Sequence, residues 1–241
     1  MVLLMLGSAT SAGAQFPPDS LVSLKFFDKD IPVRELIGHM RGFSFALGVR
    51  CQYCHVGADD QPLSEFDFPS DEKRTKRTAR VMLQMVATIN DSHLPDVPDR
   101  RVPHTEVSCA TCHRGLSRPR MLEDVLAESL EHDGLDAAVE QYRELRGEYY
   151  GTGSYDFSEF VLTSWALVLA RSEQTDEAIR ILELNAEMYP ESGTVRLMVG
   201  EVFRLVGDTA MAKVHYDRAT ELEPQLQSQV DRFLELMRSG R

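Results

Sequence analysis

The sequence contains no run of 18 or more apolar residues, so no segment has the composition of a membrane-spanning helix. It also has no excess of basic side chains. Twenty-six Lys and Arg stand against 38 Asp and Glu, a formal charge of −12. That balance argues against a nucleic-acid partner, because a phosphate backbone attracts a basic surface. There are only four cysteines in 241 residues. None lies close behind the apolar start of the chain, so there is no sign of a lipid-anchored cysteine there.

All four cysteines fall in two copies of one pattern. "RCQYCHVG" places Cys51, Cys54 and His55 together, and "SCATCHRG" places Cys109, Cys112 and His113 together. Three chemistries use paired cysteines. Disulfides in an exported protein need no adjacent histidine. Structural zinc sites use two such pairs, but usually closer in sequence, and do not require a histidine directly after the second cysteine. Cys-x-x-Cys-His is the signature of covalent haem c attachment. Two cysteines on one turn form thioethers to one porphyrin, and the next residue turns its imidazole to the iron as proximal ligand. Two copies that use every cysteine point to two haem c groups.

A six-coordinate haem needs a second axial ligand, and methionine raises the reduction potential relative to a second histidine. "DIPVRELIGHMRGFSFALG" reads as a helix, with Asp30 as cap, Pro32 in the first turn and Gly48 at the end. It carries Met40 on its apolar stripe, 11 residues before Cys51. Ser70 is expected to cap a second helix, with Asp71 and Glu72 at its positive end. Along it Met82 and Met85 lie three apart, on one face. Met40 is the candidate ligand of the first haem iron, and Met82, with Met85 as alternative, that of the second. His39 lies off the apolar stripe, and His93 and His104 fall in a proline-rich loop, so these are the weaker candidates.

The texture changes near residue 119. Residues 119–241 hold 24 acidic against 12 basic side chains, whereas 16–118 are balanced at 14 of each. One stretch carries Gly200, Phe203, Gly207, Ala212, Tyr216, Ala219 and Pro224, and thirty-four residues earlier Trp165, Leu169, Ala178, Leu182 and Pro190 fall in step with it. That period is the tetratricopeptide one, in which small residues let two helices pack closely. A more divergent unit precedes, with Ala138 and Tyr142 in matching slots. The expected layout is all-α: a signal-like segment at 1–15, a dihaem cytochrome c domain at 16–118, and a repeat domain at 119–241. Repeats are expected at about 119–158, 159–192 and 193–226, with a capping helix at 225–238. The opening "MVLLMLGSATSAGAQ" has the apolar stretch and small-residue end of an export signal, although no basic residue precedes it. Export implies a periplasmic or extracellular protein.

"MRGFSFALGVRCQYCH", "ARVMLQMVATIN" and "CATCHRG" together resemble the cytochrome c subunit of bacterial photosynthetic reaction centres, and more closely its short dihaem relatives, over about residues 24–119. The resemblance implies Met40 with His55 at the first haem and Met82 with His113 at the second. It favours Met82 over Met85, because the first Met of "MLQM" occupies the family's ligand position. The reaction-centre subunit has four such motifs and this chain two, and Arg101 stands where the family places a loop histidine ligand. "YDFSEFVLTSWALVLA" with "DEAIRILELNAEMYPES" resembles the tetratricopeptide tails of exported bacterial proteins.

These features together predict an electron carrier without a catalytic site. Redox proteins are its expected partners, and the repeats offer a surface for one of them. A second copy of the chain is another occupant the repeats admit, which would align haems in an oligomer or filament. The competing readings are a dihaem peroxidase, with His93 or His104 as distal residue, and a haem-based redox or gas sensor switching at Met82 or Met85. Both require an iron without a permanent sixth ligand.

Overall fold

The computed structural model describes residues 16–18 and 21–239, so the signal-like segment at 1–15 lies outside it. Among the described residues the protein is all-α, without strands. A lone antiparallel bridge joins Val56 and Asp67. Among the described residues no helix is long and apolar enough to cross a membrane. The chain divides into two units, one ending at Pro119 and the other starting at Arg120.

The first unit contains α1 (Val33–Leu47), α2 (Arg74–Thr88) and the short α3 (Cys109–His113), joined by long loops. Gly48 ends α1 in the left-handed conformation at φ 65°, which glycine adopts without side-chain strain. The start of α1 differs from expectation: Pro32 occupies the cap position, and no side chain caps the helix. The expected Ser70 cap is also absent. α2 begins four residues later, preceded by Lys73, and the Ser70 hydroxyl instead accepts the Glu72 N–H at 3.2 Å. The reason is the use made of Asp71. Its carboxylate pairs with Lys25, Lys76 and Arg80, which draws it away from the helix terminus. A single π-helical turn (Ile89–His93) follows α2.

The second unit consists of α4 (Leu122–Asp133), α5 (Leu135–Tyr149), α6 (Glu159–Arg171), α7 (Thr175–Met188), α8 (Gly193–Leu205), α9 (Thr209–Leu222) and α10 (Gln227–Arg238). Each helix of the pairs α4/α5, α6/α7 and α8/α9 packs on its partner. The first helices also stack successively, α4 on α6 and α6 on α8, and α10 closes on α9. Small residues make this possible. A Cβ on Gly200 would lie 2.6 Å from the Tyr216 ring, so only glycine lets α8 and α9 meet at this depth. Tyr142 and Tyr216 are almost completely buried, and Leu126, Ile181 and Leu182 fill the layers between the pairs.

Between α5 and α6 the chain is held by Arg146. Its guanidinium carbon lies 4.2 Å from the Tyr150 ring centre, 5.3 Å from that of Tyr189 and 5.9 Å from that of Phe157. Nη1 also donates to the Tyr189 hydroxyl at 3.2 Å and the Phe157 carbonyl at 3.4 Å. Burial pushes the neighbouring Tyr142 phenol up to about 12. Arg146→Met keeps most of the packing stem and removes the charge. It is expected to lower the unfolding free energy of this unit by about 1–2 kcal/mol. A denaturant midpoint equal to that of the parent protein would show the cage to be idle.

Candidate haem sites

Residues Cys51–Tyr53 form one tight 3₁₀ turn, in which the Cys51 carbonyl accepts the N–H of Cys54 at 3.2 Å and of His55 at 2.9 Å. These bonds bring Cys51, Cys54 and His55 onto a single turn. The second motif is α3 itself. Its N-terminus is closed by a capping box in which the Ser108 N–H donates to Thr111 Oγ1 at 2.9 Å. Arg114 and Gly115 both have positive φ and end the helix directly after His113. None of the four cysteines is in a disulfide. Burial raises the pKa of Cys54 and Cys109. Among the described residues, no three Cys, His, Asp or Glu side chains cluster as a metal cage would require.

The two histidines differ in their surroundings. His113 Nδ1 lies 2.7 Å from the Leu116 carbonyl, which can only accept, so Nδ1 carries the proton and the Nε2 lone pair is available to a metal. His55 Nδ1 is buried without a hydrogen-bond partner. Burial, then the positive charge of Lys76, push the His55 imidazole down to about 4, against an opposing pull from the Phe68 backbone. The ring is neutral at pH 7, the form that binds a metal.

Four further contacts position the motifs, and none is visible in the local sequence. Lys73 Nζ donates to the Gln52 carbonyl, and the Thr75 hydroxyl to that of Tyr53, so the start of α2 is hooked onto the first motif. At the other end of α2, Asn90 makes a two-point clamp on Val107, just ahead of the second motif: Nδ2 donates to its carbonyl and Oδ1 accepts its N–H, both at 2.8 Å. The Gly115 N–H donates to the Ala46 carbonyl at 2.9 Å, which ties the exit of the second motif to the end of α1. The Asn90 and Val107 partners are 17 residues apart, and periodicity and capping rules carry no information at that range.

The candidate methionines stand on these helices. Met40 is half-buried on α1, and Met82 and Met85 are exposed on α2. His39 is exposed, and its ring stacks on Phe27 at 5.1 Å. His104 is exposed in the loop before α3. His93, also exposed, lines a cleft beside α2 with Arg80, Val81, Gln84 and Met85.

The first unit accommodates a large apolar group. No residue of α2 is buried, although the helix carries Val81, Met82, Leu83, Met85 and Val86. Among the described residues 28 apolar side chains are buried, and of these only Leu36, Ala46, Phe66 and Leu116 belong to this unit. An uncovered apolar helix beside two Cys-x-x-Cys-His turns, one with an orphaned imidazole nitrogen, suits haem c.

The family model described as the photosynthetic reaction centre cytochrome C subunit matches residues 48–187, more than half of the chain. The chain belongs to that family. Membership makes it a c-type cytochrome, with covalently bound haem c. The family match starts at Gly48, after the helix bearing Met40, and extends past Pro119 through most of α7. A second relative is cytochrome c-554 of Chloroflexus aurantiacus, 39% identical over 80 residues. That stretch is 33% of this chain and 16% of the relative, so the chain spans a small part of that protein. No solved structure matches.

Proposed function

We propose that this cytochrome of the reaction-centre subunit family is an exported dihaem electron carrier whose helix pairs are tetratricopeptide repeats that dock a redox partner protein. Cys51 and Cys54 would hold one haem and Cys109 and Cys112 the other, with His55 and His113 as proximal ligands. Met40 is the sixth ligand proposed for the first iron and Met82 for the second, with Met85 as alternative. Bound haem c supplies a one-electron couple. The protein contributes neutral imidazoles held on rigid turns and thioethers that fix each ring. The observation that carries the reading is the pair of Cys-x-x-Cys-His turns, each in a closed, thiol-presenting form beside an apolar helix left uncovered. The acidic balance of residues 119–241 favours a partner, or a region of a second copy, with a basic docking face.

One observation favours the peroxidase or sensor reading. Arg80, Met85 and His93 share a cleft, which an iron without a sixth ligand could use for a small molecule. Mass spectrometry and a reduced visible spectrum with carbon monoxide test both readings. Two covalent haems and a spectrum indifferent to carbon monoxide are expected. Met40→Ala and Met82→Ala should each open one haem to carbon monoxide and lower one midpoint by on the order of 100 mV. If Met85→Ala has the effect and Met82→Ala does not, Met85 is the ligand. Carbon monoxide binding by the parent protein would favour the cleft.

A further inference from the structure

The helix that carries Met82 and Met85 is held by its ends. No residue of α2 is buried, so packing along its sides does not fix it. At its start the Lys73 ammonium and the Thr75 hydroxyl donate to the Gln52 and Tyr53 carbonyls of the first motif. At its far end Asn90 meets Val107: Nδ2 donates to the carbonyl and Oδ1 accepts the N–H, both at 2.8 Å. Asn90 lies in the π-helical turn Ile89–His93, a break in α-helical winding often found at functional sites.

Val107 stands directly before Ser108, which caps the helix of the second motif. The Asn90 amide therefore joins the helix bearing the candidate sulfurs to the helix bearing His113. Among the described residues α3 packs on α1, and its exit is tied there by the Gly115 to Ala46 hydrogen bond, but no comparable packing joins α2 to α3. Within the intervening loop Arg100 donates to the Thr105 carbonyl at 3.0 Å, which closes the loop on itself and reaches neither helix. At 1.5 Å per residue, Met85 lies roughly 8 Å and Met82 roughly 12 Å along the chain axis from Asn90. A metal–ligand distance tolerates a displacement of only about 0.2 Å. Release of one end of a helix held at two ends exceeds that tolerance.

We infer that Asn90 is the positioning residue of the second haem: its amide sets the separation between α2 and the second motif, and so keeps a methionine sulfur on the iron that His113 holds. The inference rests on the reading above that Met82 or Met85 is that ligand. Without the clamp the iron–sulfur bond opens, and the sixth position becomes free for a small ligand. The oxidation state of the iron does not change in that step.

The test uses the full-length, haem-loaded protein, with the haems counted by mass spectrometry and the reduced spectrum recorded with and without carbon monoxide. Asn90→Ala is expected to keep both haems and to open one of them to carbon monoxide. That haem should be the one opened by Met82→Ala or Met85→Ala, so the double variant should bind no more carbon monoxide than the methionine variant alone. Asp91→Ala, at an exposed position in the same turn, should leave both haems closed. Asn90→Asp keeps the bond from the Val107 N–H, and it takes the place of Asn90→Ala if that variant fails to hold both haems. A purely structural clamp would lower the denaturant midpoint and leave both haems indifferent to carbon monoxide. That result overturns the inference, as does a double variant that opens both haems or an equal opening by Asp91→Ala. Carbon monoxide binding by the parent protein, or by neither methionine variant, refutes the ligand reading itself, a separate failure seen before Asn90 is changed.

Discussion

Gly48→Ala is expected to prevent the first unit from assembling. Gly48 has a φ of +65°, a conformation that costs a non-glycine residue about 1 kcal/mol or more. The larger effect is steric. A Cβ at Gly48 would lie 2.1 Å from the Gly115 carbonyl oxygen, a backbone atom that cannot rotate away. Relief requires α1 and α3 to separate, which breaks the Gly115 to Ala46 hydrogen bond and frees the exit of the second motif. A loss of roughly 4 kcal/mol or more is expected, in the range that marks a disrupted core. Gly42→Ala is the control. Gly42 lies within the same helix, with open space around its would-be Cβ, so alanine should be neutral or stabilising by up to about 1 kcal/mol. Denaturant unfolding and haem content, measured on both variants, check the pair. A Gly48→Ala protein with the stability and haem content of the parent would show that the contact between Gly48 and Gly115 does not hold the motifs together.

The same junction shows what sequence reasoning can and cannot reach. The all-α class and the end of α1 at Gly48 were legible, because they depend on composition, periodicity and the conformational freedom of one glycine. The caps proposed for Asp30 and Ser70 were not used: Pro32 takes the cap position of α1, and beyond Ser70 the carboxylate of Asp71 serves three cations while α2 starts only at Arg74. The Asn90 clamp and the Leu116 carbonyl had no local signal, since their meaning comes from the partner they meet. Both cysteine motifs were evident as five-residue patterns. The difference between their histidines became visible only with the fold, which puts the Leu116 carbonyl at Nδ1 of His113 and leaves Nδ1 of His55 without a partner.

Replacing Cys51, Cys54, Cys109 and Cys112 together by serine is expected to divide the chain into an unfolded and a folded part. The argument lies in the distribution of the core. Among the described residues, 24 of the 28 buried apolar ones lie from Leu122 onward, and four serve the unit that ends at Pro119. A fully buried Leu or Phe contributes about 1.5–3 kcal/mol, and Ala46 less, so four such residues cannot offset the ordering of a module with loops this long. Modules with so small a core are usually completed by a bound group, whose binding free energy then becomes folding free energy. The second unit needs no such help, since Tyr142, Tyr216, Leu126 and Ile181 are already sealed between its helices. Hydrogen exchange on the full-length serine variant should therefore show protection lost over α1, α2 and α3 and retained over α4 to α10. Limited proteolysis should leave a resistant fragment starting near Arg120. If Val33–Leu47 and Arg74–Thr88 stay protected without any attached porphyrin, the first unit has a core of its own and the haem is cargo on a finished scaffold.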